Sequence, residues 1–309
     1  MITNTHPILV VIRNELRTLA REKTFVLLAT IFFAMTLFSV YIGWSTRTTT
    51  FAIYDATVAL LQASGVAHVP PNPLLNISPL MVFSNLVIYI LLVGALLAIV
   101  IGHRSFIRER KSGVIPLVFV RRVTKYQYAM GKLLGIGIAL LAIILAAFIV
   151  SAASVLLVPA LHLSLMEFLR LLGVYASAFL YLAFFMALGF LFAIRMSTES
   201  SALFAPIMLW IIAVFVLPEL ATGQNPVALL NPITLAQASQ TVGAFFAALH
   251  PFVAPFSVGQ FFTQSAFRFI TGGGQVAGEL AALAAYLGIA CVAIAYAVRS
   301  YSVASDTLS

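Results

Sequence analysis

The chain has 309 residues, of which 62% are hydrophobic and 8% charged, whereas soluble domains carry about 25% charged residues. A chain this apolar could not present a wettable surface in water, which excludes a soluble globular protein. The net charge of +8 does not indicate nucleic-acid binding, because the basic residues cluster beside apolar runs. One cysteine, Cys291, excludes a disulfide framework within the chain. The composition predicts a single membrane domain over residues 1–309.

Residues 1–24 have the pattern of an amphipathic helix that lies on the inner membrane surface. They are too polar for the apolar core of a signal peptide, and Pro7 suits a first helical turn. We expect the arginines to reach lipid phosphates; an ordinary cytoplasmic lead-in helix is the alternative. The arginine row is Arg13, Arg17 and Arg21, and a separate apolar row is Ile8, Ile12, Leu16 and Leu19.

Six apolar runs are each close to the ~20 residues that a membrane-spanning helix needs. Backbone groups in lipid must be hydrogen-bonded internally, and the alternating segments of a barrel are missing, so the runs are predicted to be helices. The predicted fold is all-α and polytopic. The predicted spans are 25–44, 81–102, 133–158, 171–194, 200–217 and 280–298. Between the first two, Phe51–Ser64 is predicted to be an interfacial helix.

The distribution of lysine and arginine predicts the orientation. With the N-terminus in the cytoplasm, all of the 17 basic residues except Arg47, Arg170 and Arg268 fall on the cytoplasmic side. Short cytoplasmic segments carry such an excess of positive charge. We therefore expect a multi-pass protein of the cytoplasmic membrane with both termini in the cytoplasm.

The segment 103–132, between the second and third spans, is basic and also apolar. It holds eight lysines and arginines and one acid, Glu109, together with Ile115, Leu117 and Phe119. A helix that docks into a groove on a cytoplasmic partner would need this apolar content. The alternative is a positive-inside loop with a helix lying on the membrane. The small residues Gly131 and Gly135 predict close helix contact where the third span begins.

This segment resembles the first cytoplasmic loop of ABC-2-type permeases. The similar residues are Glu109-Arg110-Lys111-Ser112-Gly113, then Arg121-Arg122-Val123-Thr124-Lys125, then Gly131-Lys132. The sequence departs from the family pattern at Val114, Pro116 and Arg122. The resemblance implies two permease copies, which we expect to be identical, with two cytoplasmic ATPase subunits and a coupling helix that receives their motion. The coupling residues it implies are Arg108, Glu109, Arg110, Gly113, Arg121, Arg122 and Lys125.

The segment 218–279 is predicted to form an outer re-entrant structure before the last span. Its stretch Gly243–Phe262 is apolar but contains Pro251 and Pro255, which remove helix hydrogen bonds. A re-entrant or interfacial pair of helices, as in the ABC-2-type family, is favoured over a seventh span. Residues 229–234, Leu-Leu-Asn-Pro-Ile-Thr, are similar to a stretch in the permeases associated with multicopper-enzyme and nitrous-oxide-reductase maturation.

No enzyme motif is found in the sequence. Gly131-Lys132 is followed by Leu133, and Tyr126 stands where a phosphate-binding loop needs glycine. ATP and magnesium are therefore expected on the partner ATPase, with no cofactor in this chain. His68, His162 and His250 are weak metal-ligand candidates, because dispersed interfacial histidines have the same pattern. A metal site is not predicted.

The predicted spans have essentially no ionisable residue at mid-membrane, which disfavours a carrier driven by protons or sodium. The sequence thus predicts the permease subunit of an ATP-driven transporter, with export favoured by the family resemblance. The alternatives are an ATP-independent channel or carrier, and a membrane scaffold for an extracytoplasmic assembly.

Overall fold

The computed structural model describes residues 7–65, 78–113, 115, 123–156, 164–218 and 244–301. Six helices are long and apolar enough to cross a membrane, and no strand occurs in these ranges, so the all-α polytopic fold is confirmed. The described helices are α1 (Pro7–Arg21), α2 (Lys23–Ala63), α3 (Pro79–Lys111), α4 (Lys125–Leu156), α5 (Leu165–Arg195), α6 (Glu199–Val216), α7 (Ala244–Val253), α8 (Val258–Thr271) and α9 (Ala277–Ser300). The six candidate spans are α2, α3, α4, α5, α6 and α9.

The first span is longer than predicted. α2 has 41 residues, which at 1.5 Å per residue is roughly 60 Å and about twice the hydrocarbon thickness. Phe51–Ser64, predicted as a separate interfacial helix, continues the same helix. Residues 45–50 contain no glycine or proline, and the hydroxyls of Thr48 and Thr50 donate to the carbonyls of Trp44 and Thr46. Nothing in the segment therefore interrupts the helical hydrogen bonds.

The basic segment between the second and third spans is continuous with both spanning helices. α3 continues through residue 111 and α4 begins at residue 125, so the ends of 103–132 belong to the spanning helices. Ile115, between them, is buried. We call the end of the bundle at Lys111 and Lys125 the basic end, and the end at Pro79 and Ser164 the far end.

The centre of the bundle is the contact between α3 and α5. Every residue from 181 to 190 in α5 is buried. A Cβ on Gly102 would overlap the backbone of Met186, and one on Gly189 would overlap the backbone of Ile99. The two helices therefore approach at van der Waals distance only because both positions lack a side chain, as small residues allow in membrane helices.

The N-terminal helix α1 packs on the first turns of α4. A Cβ on Gly131 would lie 2.8 Å from the side chain of Val11, and one on Gly135 would lie 2.9 Å from Glu15. The predicted helix contact at these glycines is thus made with α1. This packing brings Glu15 into the interior of the basic end.

Two short helices, α7 and α8, precede the last span and are separated by a turn at Pro255. Neither meets the length required of a span. Phe262 of α8 stacks on Tyr181 of α5, with ring centroids 4.7 Å apart, and Phe269 lies against Gly173. α8 therefore runs antiparallel to α5 over its far half. The favoured prediction of a broken helix pair agrees with this arrangement. In α6, Pro206 is buried within the helix.

Candidate functional site

Six charged side chains meet at the basic end and form one connected set of ion pairs, which we call the ionic network. Three are carboxylates and three are cations, so the network as a whole is neutral. The members come from α1, from the junction of α1 and α2, from α3 and from α4. They are Glu15, Glu22, Arg104, Arg108, Glu109 and Lys132.

Lys132 is the most enclosed cation of the network. Its side chain is 1% exposed, and its ammonium donates to Glu15 at 2.5 Å, to the carbonyl of Ser105 at 3.0 Å and to Glu109. An ammonium has three donors, and each has an acceptor here. The phenol of Tyr128 also donates to Glu109. Burial of this charge is thus compensated by paired carboxylates and by full hydrogen bonding.

Arg108 connects the buried part of the network to its outer part. Its guanidinium donates to both oxygens of Glu15, at 3.1 and 3.2 Å, and to Glu22 at 2.9 Å. Glu22, which precedes α2, also accepts from Arg104 at 2.6 Å. Since Arg104 and Arg108 are one turn apart on α3, this helix end is fixed against both α1 and the start of α2.

Further contacts join the same region to the remaining spans. Arg110 donates to the carbonyl of Met196, directly after α5, at 2.6 Å, and Lys111 pairs with Glu199, the first residue of α6. Lys125 donates to the carbonyl of Tyr301, directly after α9, at 2.7 Å. Residues 104–132 therefore contact the basic ends of all the other spans.

A family model described as ABC-2 family transporter protein matches residues 9–304. The chain belongs to the ABC-2 family. Members of this family are the membrane-spanning subunits of transporters and are not themselves catalytic. No curated protein matches the chain.

The predicted coupling residues of this ABC-2 permease lie in different surroundings. Arg108 and Glu109 are in the ionic network, and Arg110 and Lys125 bind backbone carbonyls, as described above. Gly113 is exposed and has a φ of +65°, which favours glycine directly after the end of α3. Arg121 and Arg122 lie outside the described residues.

The three arginines predicted to reach lipid phosphates, Arg13, Arg17 and Arg21, are all exposed on α1. They point away from the side of α1 that carries Glu15, which is fully buried. Their exposure is compatible with contact to a lipid headgroup, which stays a prediction.

The weak metal-ligand candidates are not brought together in the described part of the permease. His250 is exposed on α7, and His68 and His162 lie outside the described residues. Among the residues that the structure describes, no group of three His, Cys, Asp or Glu side chains could hold a metal ion.

Sequence reasoning missed Glu15 and the pairing of Lys132. The signal for Glu15 was present, because it lies between Ile12 and Leu19 on the side of α1 that packs inward. A carboxylate among inward-facing apolar residues indicates a buried cation nearby. Its partners could not be identified from the sequence, since Arg108 and Lys132 are 93 and 117 residues away in the chain.

Proposed function

We propose that this ABC-2 permease is the membrane-spanning subunit of an ATP-driven exporter whose ATPase is a separate polypeptide. Two identical permease copies would combine with two ATPase subunits, which hold ATP and magnesium. The basic end would face the cytoplasm, with both termini on that side of the cytoplasmic membrane. ATP binding would move the basic segment, and the spans would respond by changing between inward-open and outward-open states.

The observation that carries the proposal is the set of contacts made by residues 104–132. Charged or polar contacts join this segment to α1 and to the basic ends of α2, α5, α6 and α9. The pair of Glu109 and Lys132 joins its two helical ends to each other. An external push on this segment would therefore be felt by every span. Ion pairs shielded from water resist separation more strongly than exposed ones, so the network would transmit displacement as a rigid connection.

The residues of the coupling segment would divide into two roles. Ser112 and Gly113 are exposed where α3 ends, and with Arg121 and Arg122 they would contact the ATPase. Arg108, Glu109, Arg110 and Lys125 have partners within the chain, so they would position the segment and pass on its motion. This assigns Glu109 a role inside the permease and not at the ATPase surface.

The lipid contact of α1 is part of the same proposal. Arg13, Arg17 and Arg21 would bind headgroup phosphates of the inner leaflet, while Glu15 binds Lys132 and Arg108. α1 would then keep the basic end at a constant height relative to the membrane surface while the ATPases move.

A relation to the permeases of multicopper-enzyme and nitrous-oxide-reductase maturation is the most specific form of the proposal. It is supported by the short similarity at residues 229–234, which lie outside the described residues. The transported molecule would then be one that is needed for the maturation of a metalloenzyme outside the cytoplasm.

The test is affinity purification of the tagged permease from native membranes, followed by quantification of bound ATPase and of ATP hydrolysis. We expect one ATPase subunit per permease copy. A stable permease that purifies without an ATPase would contradict the proposal and favour the channel or scaffold alternative.

The same purification with Glu109→Gln examines the assigned role of Glu109. The variant should retain the ATPase but lose stimulation of ATP hydrolysis by the permease. Asp55→Asn is the matched control, because it removes one negative charge from an exposed position of α2. Loss of bound ATPase in Glu109→Gln would instead place Glu109 at the ATPase surface.

A further inference from the structure

The helix α8 begins midway along the bundle and not at its surface. Phe262, in its second turn, stacks on Tyr181, which lies near the middle of α5. A Cβ on Gly259, in its first turn, would lie 3.3 Å from Val214 of α6 and 3.5 Å from Leu91 of α3. The N-terminus of α8 is therefore enclosed by α3 and α5 near their middles and by α6 near its C-terminal end.

Polar groups at this helix end lack partners. Ser257 immediately precedes α8, is 0% exposed and makes no capping bond, and its hydroxyl has no hydrogen-bond partner among the described residues. The side-chain oxygen of Gln260, in the first turn, is also buried without a partner there. Ser265 on the same helix differs, because its hydroxyl donates to the carbonyl of Phe262 at 2.8 Å.

The polar groups at the start of α8 are unusual because they lack partners in an apolar part of the bundle. A buried polar group without a hydrogen bond within the protein is unfavourable, and such groups often bind a ligand or a water molecule. The N–H groups of Val258 and Gly259, the first two of α8, also have no acceptor within the helix, whereas those of Gln260 and Phe261 donate to the carbonyl of Ser257. The surrounding parts of α3, α5 and α6, which are residues 79–102, 171–194 and 200–218, contain no Asp, Glu, Lys, Arg or His. The positive end of the α8 dipole points toward Ser257.

The site is covered by two π-helical turns, Ile90–Gly94 in α3 and Ile212–Val216 in α6. The carbonyl of Leu91 accepts from the hydroxyl of Tyr181 at 2.9 Å and from the indole of Trp210 at 3.3 Å. Single π-helical turns often occur at functional sites. α3 is also the helix whose other end carries the ionic network, so its movement would uncover the start of α8.

We propose that Ser257, Gln260 and the first N–H groups of α8 form a binding site for an anionic, hydrogen-bond-accepting group of the transported molecule. The phosphate, carboxylate or sulfonate of an amphipathic molecule has this chemistry. The Ser257 hydroxyl and the backbone N–H groups supply donors, the buried oxygen of Gln260 accepts from an O–H or N–H of the same molecule, and the helix N-terminus favours negative charge. The site is closed in this structure and opens when α3 and α6 separate from α8. This inference rests on the proposed transport function.

The experiment measures access to the site with thiol reagents of opposite charge. In a Cys291→Ala background, Ser257→Cys is compared with Ser265→Cys, which is buried on the same helix, and Gln264→Cys, which is exposed. The complex with its ATPase is treated with a sulfonate-bearing or an ammonium-bearing methanethiosulfonate, at rest and during ATP turnover. ATP hydrolysis is recorded for each preparation.

We expect modification at position 257 only during turnover, while position 265 stays unmodified. At each position, the rate of modification by the sulfonate reagent is divided by the rate for the ammonium reagent. This ratio should be about three- to thirtyfold higher at position 257 than at position 264, because a helix N-terminus favours negative charge. No modification at 257 in a complex that hydrolyses ATP, or a ratio equal to that at 264, would overturn the site and leave the proposed function intact.

A permease without an ATPase would overturn the proposed function. Because the site is expected to open only during turnover, the inference would then fall together with the proposed function, whereas an unmodified position 257 in a complex that hydrolyses ATP overturns the site alone. Ser257→Thr provides a second variant that keeps the hydroxyl. It should retain the stimulation of ATP hydrolysis by an added long-chain alkyl phosphate, whereas Ser257→Ala should lower that stimulation. Equal stimulation of the two variants would count against the site.

Discussion

At the residue scale, the central interaction is the enclosure of Lys132 by the carboxylates of Glu15 and Glu109. Removal of one member of a buried ion pair is far more harmful than replacement of both, because it leaves an uncompensated charge away from water. Glu15 could have been identified from its place on the inward side of α1. Its partners could not, because they come from α3 and α4, and the pairing depends on how these helices pack.

Lys132→Met should lower the free energy of unfolding by about 3–5 kcal/mol, since it leaves two carboxylates buried together. The combined change Glu15→Gln with Lys132→Met should recover part of the loss. Thermal unfolding of the purified permease in detergent measures both. Lys23→Met, at an exposed position, is the control, and strictly additive effects of Glu15→Gln and Lys132→Met would show that the pair does not interact.

Replacing Ser257 or Ser265 by alanine is expected to affect stability differently, although both serines are buried on or beside α8. Ser265→Ala removes a hydrogen bond to the carbonyl of Phe262 and should destabilise the permease by about 1 kcal/mol. Ser257→Ala removes a hydroxyl without a described partner and should leave the unfolding temperature unchanged or raise it. A larger loss of stability for Ser257→Ala than for Ser265→Ala would contradict the assignment of Ser257 as an unsatisfied group.

At the element scale, hydrophobic runs predicted all six spans but not their ends. The ends depend on charged and hydroxyl-bearing residues, which continue a helix when tertiary contacts or backbone hydrogen bonds support it. Residues 45–50 are an example, because they are polar enough to be interpreted as a loop but are helical. The broken pair α7 and α8 was predictable, because proline removes helix hydrogen bonds in any context.

The continuity of α2 predicts a distance between its two halves. Spin labels at positions 41 and 60, in the Cys291→Ala background, should be separated by about 28 Å with a narrow distribution, from 19 residues at 1.5 Å each. Thr49→Pro should broaden this distribution and Thr49→Ala should not. Pulsed electron paramagnetic resonance measures the distance, and a broad distribution without any substitution at position 49 would show two separate helices.

The close contact of α3 and α5 predicts that alanine substitutions at two glycines will change the stability of the permease by different amounts. Gly189→Ala should destabilise the permease by about 1–3 kcal/mol, because the added methyl group would overlap the backbone of Ile99. Gly288→Ala in α9 meets nothing within 4 Å and should be neutral or stabilising by up to about 1 kcal/mol. Equal effects in thermal unfolding would contradict the packing described here.

At the scale of the whole molecule, the end of α3 is the point where all spans are connected. Its basic end holds the ionic network, and its middle covers the start of α8 through the π-helical turn Ile90–Gly94. The composition and the charge distribution predicted a membrane protein with a basic coupling segment. They did not predict these connections, because the contacts join residues that are distant in sequence and depend on the packing of complete helices.

The most direct test of this account is a distance measurement at the far end while ATP acts at the basic end. Spin labels at positions 49 and 271, on α2 and α8, are introduced in the Cys291→Ala permease and studied in complex with its ATPase. We expect a shift of the distance distribution when ATP and vanadate are added. Lys132→Met should abolish the shift without releasing the ATPase, and Asp55→Asn should preserve it. An unchanged distance in the permease with its network intact, or a normal shift in Lys132→Met, would contradict transmission through the ionic network.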